Sequence, residues 1–571
     1  MRQQKAVKLA MSLGMLLIGL VGAVDLLAQS PTIKWSTTLQ GGTCFSSINQ
    51  YADLNADGIS DLVVGGSREG GWDKPAIFAL DGKNGNLLWQ RSAPNQIYLS
   101  ARFTHINGDS IPDVLIGGRD AQLLALNGRN GELLWQFWSD TLPAKDSGWY
   151  NFYNLLLIPD INNDQIEDIL ISNGGDANAV PSDTNRPAGS ILILSGQHGE
   201  VLGRIKTPDQ HETYFAPLLL PDQKTVLFGT GGETIGGGLY LIPLSDLIQS
   251  DTSNIQPITY DSEHGFIAAP TIVRSSTNDV LAVPRYHEEF ELYNINTPNQ
   301  PAYQFHVKEA NTEAYVTPVP GFFNRDNVVD YVQIFAKGIF PFYSGYIYVV
   351  IDGANGQVID RWESSGIYQL NSCNVLDLDN DGLDELLIAH NYDNGTTRVQ
   401  YRTSFMVKQF EPDTLYYLFG DRPGITLYSQ PAFYDLDHNN QLDMLVVTNL
   451  NEKNWYTHDS FSVARYEWNQ NLTSVNWPCY MGMDGKAQFD ANQSSHVPSN
   501  IFSNLVKPYP NPVDDVLYFG KKTRYELYTS NGALLKTGHS ASFNTTQLPD
   551  GIYLVHLEGE LTFRRIVVLH H

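Results

Sequence analysis

Residues 53–66 read DLNADGISDLVVGG. Asp53, Asn55 and Asp57 stand at alternate positions, Gly58 and Asp61 follow, and an apolar run closes on Gly65-Gly66. Three readings compete: a helical calcium hand, a plain Asx turn, and one unit of a repeating fold. A helical hand needs a bidentate Glu at its twelfth position. That position is Val64 here, inside the apolar run, so the hand is excluded. The motif returns as HINGDSIPD from His105, DINNDQIED from Asp160, FFNRDNVVD from Phe322, DLDNDGLDE from Asp377 and DLDHNNQLD from Asp435. Weaker copies lie near residue 218 (LLLPDQKTVLFGTGG) and from Thr271 (TIVRSSTNDVLAVP), so eight units follow one another every 51 to 58 residues.

A second motif keeps step with the first: IFALDGKNGNLLWQ, LLALNGRNGELLWQ, ILILSGQHGEVLGR and IYVVIDGANGQVIDRW follow the first, second, third and sixth units. Each reads as strand, glycine-containing tight turn, strand. One unit is then strand a, acidic loop, strand b, connection, strand c, turn, strand d. Four strands in about 55 residues, repeated, are the mark of a β-propeller blade, and blades bury their faces only against neighbours. The fold expected for residues 29–490 is an all-β, eight-bladed propeller, with seven blades as the alternative count. The segment IKWSTTL precedes the first strand a and has the character of a strand d. It is expected to complete the last blade and remove an open sheet edge.

Alternating oxygen-bearing side chains suit calcium, a hard cation that takes six to eight oxygen ligands. The expected ligands are Asp53, Asn55, Asp57 and Asp61 in the first loop; Asn107, Asp109 and Asp113 in the second; and Asp160, Asn162, Asp164 and Asp168 in the third. The sixth offers Asn324, Asp326 and Asp330, the seventh Asp377, Asp379, Asp381 and Glu385, the eighth Asp435, Asp437, Asn439 and Asp443. The loops at 53, 160 and 377 are fullest; His105 and Phe322 cost the second and sixth a carboxylate, Asn439 makes the eighth intermediate, and the copies near 218 and 271 lack ligands. An Asx-rich turn without an ion is the simpler alternative for any single copy.

These loops resemble FG-GAP/VCBS-type repeats, the calcium-loop blades of integrin α-subunit propellers and many bacterial surface proteins. The ALDGKNGNLLWQ segments are similar to the blades of quinoprotein-like propellers. Quinoprotein dehydrogenases carry a vicinal cysteine pair, which this chain lacks, so no quinone cofactor is expected.

The ends read differently. Arg2, Lys5 and Lys8 precede an uncharged apolar run from Leu9 to Val24, and residues 1–28 are expected to be a secretory signal peptide, with an uncleaved anchor as the alternative. The three cysteines, Cys44, Cys373 and Cys479, are too few for a disulfide scaffold, although Cys44 and Cys479 could pair if the ends of the propeller meet. Residues 491–504 form a polar linker, and residues 505–571 read as short strands of a small β-sandwich. The last segment resembles the type A C-terminal sorting domain of type IX secretion. The match lies at Tyr509, Pro510, Asn511, Pro512, Asn531, Gly532, Leu548, Pro549, Gly551, Ile552 and Tyr553. The resemblance implies the type IX machinery as a partner, export through both membranes, and a cell-surface or extracellular location. A small adhesive domain that stays on the protein is the alternative.

With 36 basic and 62 acidic residues the chain carries a formal charge of −26, which excludes nucleic acid as a partner. No HExxH, GxSxG or P-loop motif occurs; GGETIGGG, residues 231–238, joins two strands and leads into no helix. The acidic loops and c–d turns share one propeller face, leaving the other for a ligand. Trp72, Phe340, Tyr343, Trp455 and Tyr456 lie in connections of that face; aromatics flanked by amides and carboxylates suit sugar rings or protein loops. Packing between blades is their alternative role. The expectation is a monomeric calcium-binding propeller that binds or adheres to an extracellular glycan or protein. A polysaccharide-active hydrolase or lyase with its site on the same face is the competing one.

Overall fold

A computed structural model describes residues 31–570 except 67–73, 94, 120–121, 138–150, 175–187, 277, 299, 310, 340–341, 368–369, 396–398, 451–457, 469–473, 493–512, 514–515, 531–532 and 558–563. The described strands between Thr32 and Asp490 form eight sheets in chain order, each laid out a-b-c-d as the repeat requires. In the first, strand a shrinks to the bridge between Ala52 and Asp61, and strands Leu62–Gly65, Pro75–Leu80 and Leu87–Ser92 follow. Strand b is buried along its whole length in the second sheet (Asp113–Gly118), because both its faces meet neighbouring sheets. Strand d is the outer edge, and its side chains are largely exposed or half-buried in Leu87–Ser92.

Apolar clusters join successive sheets around a closed ring. One joins the first sheet to the second through Val63, Ala79 and Val114; another joins the eighth to the first through Leu445, Val463, Leu62 and Phe78. The ring closes as the sequence implies. Strand Thr32–Leu39 is the outer strand of the eighth sheet, antiparallel to Ser460–Glu467, with Trp35 opposite Arg465 and Thr37 opposite Val463. The two ends of the propeller therefore meet, and Cys44 and Cys479 share one core cluster. They do not form a disulfide: all three cysteines are buried free thiols.

The glycine turns and the acidic loops keep step in the sequence because they touch. A Cβ on Gly82 would lie 1.8 Å from the Ser60 carbonyl oxygen; Gly128, Gly196 and Gly353 meet Pro112, Glu167 and Val329 in the same way at 1.9, 2.0 and 1.9 Å. The second glycine of each turn has a positive φ and receives an aromatic ring from the preceding blade. Trp35 covers Gly85, Trp89 covers Gly131, Trp135 covers Gly199 and Tyr303 covers Gly356. The indole nitrogens of Trp35, Trp89 and Trp135 donate to the carbonyls of Gly82, Gly128 and Gly196 at 2.8, 2.7 and 3.0 Å. Trp89→Phe keeps most of the packing and orphans a buried carbonyl, so thermal unfolding should report a loss of about 1–1.5 kcal/mol.

The centre of the ring is filled by the chain that follows the eighth sheet. Ser474–Trp477 runs antiparallel to strand Asn374–Asp377, and Gln488–Asp490 runs parallel to Thr271–Arg274. Between them, Pro478 accepts from Phe433 of the eighth sheet at 3.0 Å, Met481 sulfur accepts from Asn154 of the third at 3.0 Å, and Gly485 lies against Arg102 of the second. Gln488 donates to the Leu219 carbonyl of the fourth at 2.6 Å, and Phe489 packs on Phe322 of the sixth. Strand a of every sheet runs toward its acidic loop. The parallel segment 488–490 therefore brings the chain out on the acidic-loop face.

The C-terminal residues form one four-stranded sheet, with Val516–Thr529 between Leu534–Asn544 and Gly551–Leu557, and Arg564–Val568 at the edge. A second layer of the expected sandwich is not seen among the described residues.

Candidate metal centres and the opposite face

In the first loop the Asp53 carboxylate accepts backbone N–H groups from Asp57 at 3.2 Å and Gly58 at 2.8 Å, while Asn55 and Asp57 accept from residues two ahead at 2.9 Å each. Asp160, Asp377 and Asp435 repeat this arrangement toward residues 164 and 165, 381 and 382, and 439 and 440. His105 and Phe322 offer no carboxylate for this arrangement, and the second and sixth loops carry the Asn107–Asp109 and Asn324–Asp326 turns.

The ninth residue is also a brace. Asp61 accepts from Leu54 N at 2.8 Å and from Gly82 N at 2.9 Å, tying its loop to the glycine turn. Asp113 joins Ile106 to Gly128, Asp168 joins Ile161 to Gly196, and Asp330 joins Phe323 to Gly353. Burial drives these carboxyls upward: Asp61 and Asp330 to about 7, Asp113 to about 6, with neighbouring acids adding to the effect. In the seventh loop burial and the acids Asp379, Asp377 and Asp381 push Glu385 to about 9.

Oxygens of three acids converge within 4.8 Å in two loops among the described residues: Asp377, Asp379 and Glu385, and Asp435, Asp437 and Asp443. By sequence the seventh loop is among the fullest and the eighth intermediate. In the seventh, the fourth expected ligand, Asp381, turns outward to Arg325 at 2.9 Å, and Arg325 also holds Glu411 at 2.9 Å. The loops at 53 and 160 do not bring three acids together in this way. An all-oxygen donor set, with a buried glutamate that accepts from Leu378 N at 2.6 Å and faces neighbouring acids, fits a hard divalent cation at the seventh loop. In the degenerate fourth copy, Asp222 caps a simple turn, accepting from Lys224 N at 2.8 Å and Thr225 N at 2.9 Å.

The opposite face carries aromatic residues that the sequence reading passed over. Among the described residues one stands two to seven residues before strand a, or before the Ala52 bridge, in every sheet but the seventh: Phe45, Tyr98, Tyr153, Tyr214, His264, Tyr315 and Tyr428. Tyr98 stacks on Tyr153 with centroids 5.5 Å apart, Tyr153 on Tyr214 at 5.7 Å, and Phe45 bridges Tyr98 and Tyr428 at 5.5 and 6.0 Å. A second arc runs from His264 through Tyr286 and Tyr315 to Tyr343. Acids stand among them: Glu313 accepts from Tyr315 at 3.0 Å and Tyr343 at 2.8 Å, and Glu212 accepts from Tyr214 at 3.2 Å. The signal was one aromatic or histidine every 50 to 61 residues from Phe45 to Tyr315, hidden among the chain's 30 tyrosines.

Of the residues expected on this face, Tyr343 is not an exposed platform. It is 8% exposed, because its ring packs beneath Tyr315 and its hydroxyl is spent on Glu313. Trp72, Phe340, Trp455 and Tyr456 lie outside the described residues, as do Tyr509, Pro510, Asn511, Pro512, Asn531 and Gly532. Gly551, Ile552 and Tyr553 begin a strand, and the Tyr553 hydroxyl donates to the Pro549 carbonyl at 2.8 Å.

Residues 65–242 match the FAM234A/B beta-propeller family, and residues 507–568 match the secretion system C-terminal sorting domain. No curated protein matches the chain. Quinohemoprotein alcohol dehydrogenase from Comamonas testosteroni is similar in structure, with a TM-score of 0.50 at 11% identity over 77% of this chain and 76% of that one. The corresponding enzyme ADHIIG from Pseudomonas putida HK5 scores 0.49 at 11% identity over 76% of each chain, and BamB from Moraxella catarrhalis 0.41 at 12% over 76% and 99%. At such identity the likeness is one of fold. The chain joins a β-propeller to a type IX C-terminal sorting domain and is an exported protein, secreted or held at the cell surface.

Proposed function

We propose that the protein is an eight-bladed propeller of the FG-GAP/VCBS kind, braced by calcium at its acidic loops. Its opposite face binds an extracellular glycan or protein. The C-terminal segment is proposed to be a sandwich read by the type IX machinery, and the propeller to act as a monomer. The observation that carries the binding reading is the aromatic collar with its carboxylates, on the face away from the acidic loops. Aromatic rings with hydroxyl and carboxylate partners give both contact area and directed hydrogen bonds to a polyhydroxylated or basic ligand. The geometry adds an orientation: the chain leaves the ring on the acidic-loop face at Asp490, so a tether through the sorting domain leaves the collar free.

A glycan and surface-protein array, read for both retention and product release, tests this. Tyr428 is 36% exposed. Tyr428→Ala should lower retention tenfold or more while moving the melting temperature little. Retention without release supports binding; release of shortened glycan moves the assignment to a polysaccharide-active enzyme. Retention indifferent to Tyr428 removes the collar from the site.

A further inference from the structure

The eighth acidic loop differs from the others in one way that its own motif does not show. Arg465, on strand Ser460–Glu467, is 1% exposed and reaches into the loop. Its Nε donates to Asp443 at 2.7 Å, and its Nη2 to Asp437 at 2.6 Å and to the second Asp443 oxygen at 2.9 Å. Its Nη1 donates to the Gly82 carbonyl of the first blade at 3.0 Å, the same carbonyl that Trp35 holds. Asp437 and Asp443 are two of the three acids whose oxygens converge there. The equivalent position, opposite the second residue after the ninth-position acid, is Ala79, Ala125, Ile193, Val350 and Val407 in the first, second, third, sixth and seventh blades. Only in the eighth does a cation stand there.

We infer that Arg465 takes the place of the metal ion in the eighth loop, so that the seam where the ring closes is held by a cation built into the chain and does not depend on calcium. A planar guanidinium satisfies Asp443 bidentately and still has donors for Asp437 and for the next blade. A divalent ion in the same space would face a fixed positive charge within hydrogen-bond distance of two of its three acidic ligands. The eighth loop is then a latent metal site, unmasked by removing the arginine. The inference rests on the reading that such loops take divalent cations, and the seventh loop serves as its internal reference.

The test uses the full propeller and sorting chain, with bound calcium counted by equilibrium dialysis and hydrogen exchange followed in Thr32–Leu39 and Ser460–Glu467. In the natural protein, chelator should change exchange in these closing strands less than twofold, E385Q should lower the calcium count by one, and D443N should leave it unchanged. R465Q should gain one calcium, with exchange in the closing strands slowed tenfold or more by the ion. Terbium should then be sensitised by Trp35 in R465Q and not in the natural protein. R465K, which keeps a cation, should stay indifferent to chelator. The inference fails if D443N lowers the natural count, or if R465Q gains no ion or does not fold in calcium. If E385Q leaves the count unchanged, it is the calcium reading of the seventh loop that fails.

Discussion

Gly82→Ala should destabilise the protein by more than the roughly 1–3 kcal/mol usual for overpacking, whereas Gly58→Ala should cost only about 1 kcal/mol. The two glycines look alike in sequence, each beside an aspartate in a turn. Gly58 has a φ of +87° and open space around its Cα, so alanine there meets only the intrinsic cost of a left-handed backbone. Gly82 faces the Ser60 carbonyl oxygen, which a Cβ would approach to 1.8 Å. Backbone on both sides must move, because neither atom belongs to a side chain that can swing away. That movement pulls on three other contacts: the Gly82 amide held by Asp61, and the Gly82 carbonyl shared by Trp35 and Arg465. Two of these close the ring. Denaturant unfolding of both variants checks the ordering; equal losses would mean the turn yields to the methyl group.

The same contacts explain what the sequence could and could not tell. Period, strand alternation and the strand-d character of residues 33–39 are local properties, and they led directly to the repeated sheets and to the pairing of Thr32–Leu39 with the last of them. The pairing of acidic loop with glycine turn was visible as two motifs in step, but not its cause, since Gly82 and Ser60 meet only after the strands have paired. The central segment 474–490 was illegible. Its strands are three or four residues long, and their partners lie about 100 and 216 residues back along the chain. The reading of the ligand face looked to aromatics in connections, Trp72, Phe340, Tyr343, Trp455 and Tyr456, of which only Tyr343 is among the described residues, and it passed over the aromatic and histidine side chains that precede strand a in seven of the eight sheets. Arg465 was missed for the opposite reason. A single basic residue in an apolar strand carries no motif, and its meaning comes from the two aspartates that the fold sets against it.

Calcium should raise the melting temperature, and chelator should lower it, most strongly through the seventh loop. There Asp377, Asp379 and Glu385 bring their oxygens together, and burial, the strongest influence on Glu385, pushes its carboxyl up against the opposing hydrogen bond from Leu378 N, with the neighbouring acids adding to the rise. An ion that binds the folded loop and not the unfolded chain stabilises by about 2.7 kcal/mol at a hundredfold excess over its Kd. Glu385→Gln should abolish that response at this loop and raise stability in chelator, because folding no longer has to take up a proton at this position. The pH dependence follows from the direction of the shift. Without an ion, the folded state holds a proton on Glu385 between its ordinary value of 4.5 and about 9, where the unfolded chain does not. Stability in chelator should therefore fall as pH rises through that window. Calcium competes with this proton, so the gain from calcium should grow with pH over the same range. Melting curves at pH 5 and 8, with calcium and with chelator, for the natural protein and Glu385→Gln decide the matter. A gain from calcium that is the same at both pH values, or survives in Glu385→Gln, would place the ion elsewhere. No gain at all would leave the acidic loops as Asx turns, braced from within by their ninth-position acids.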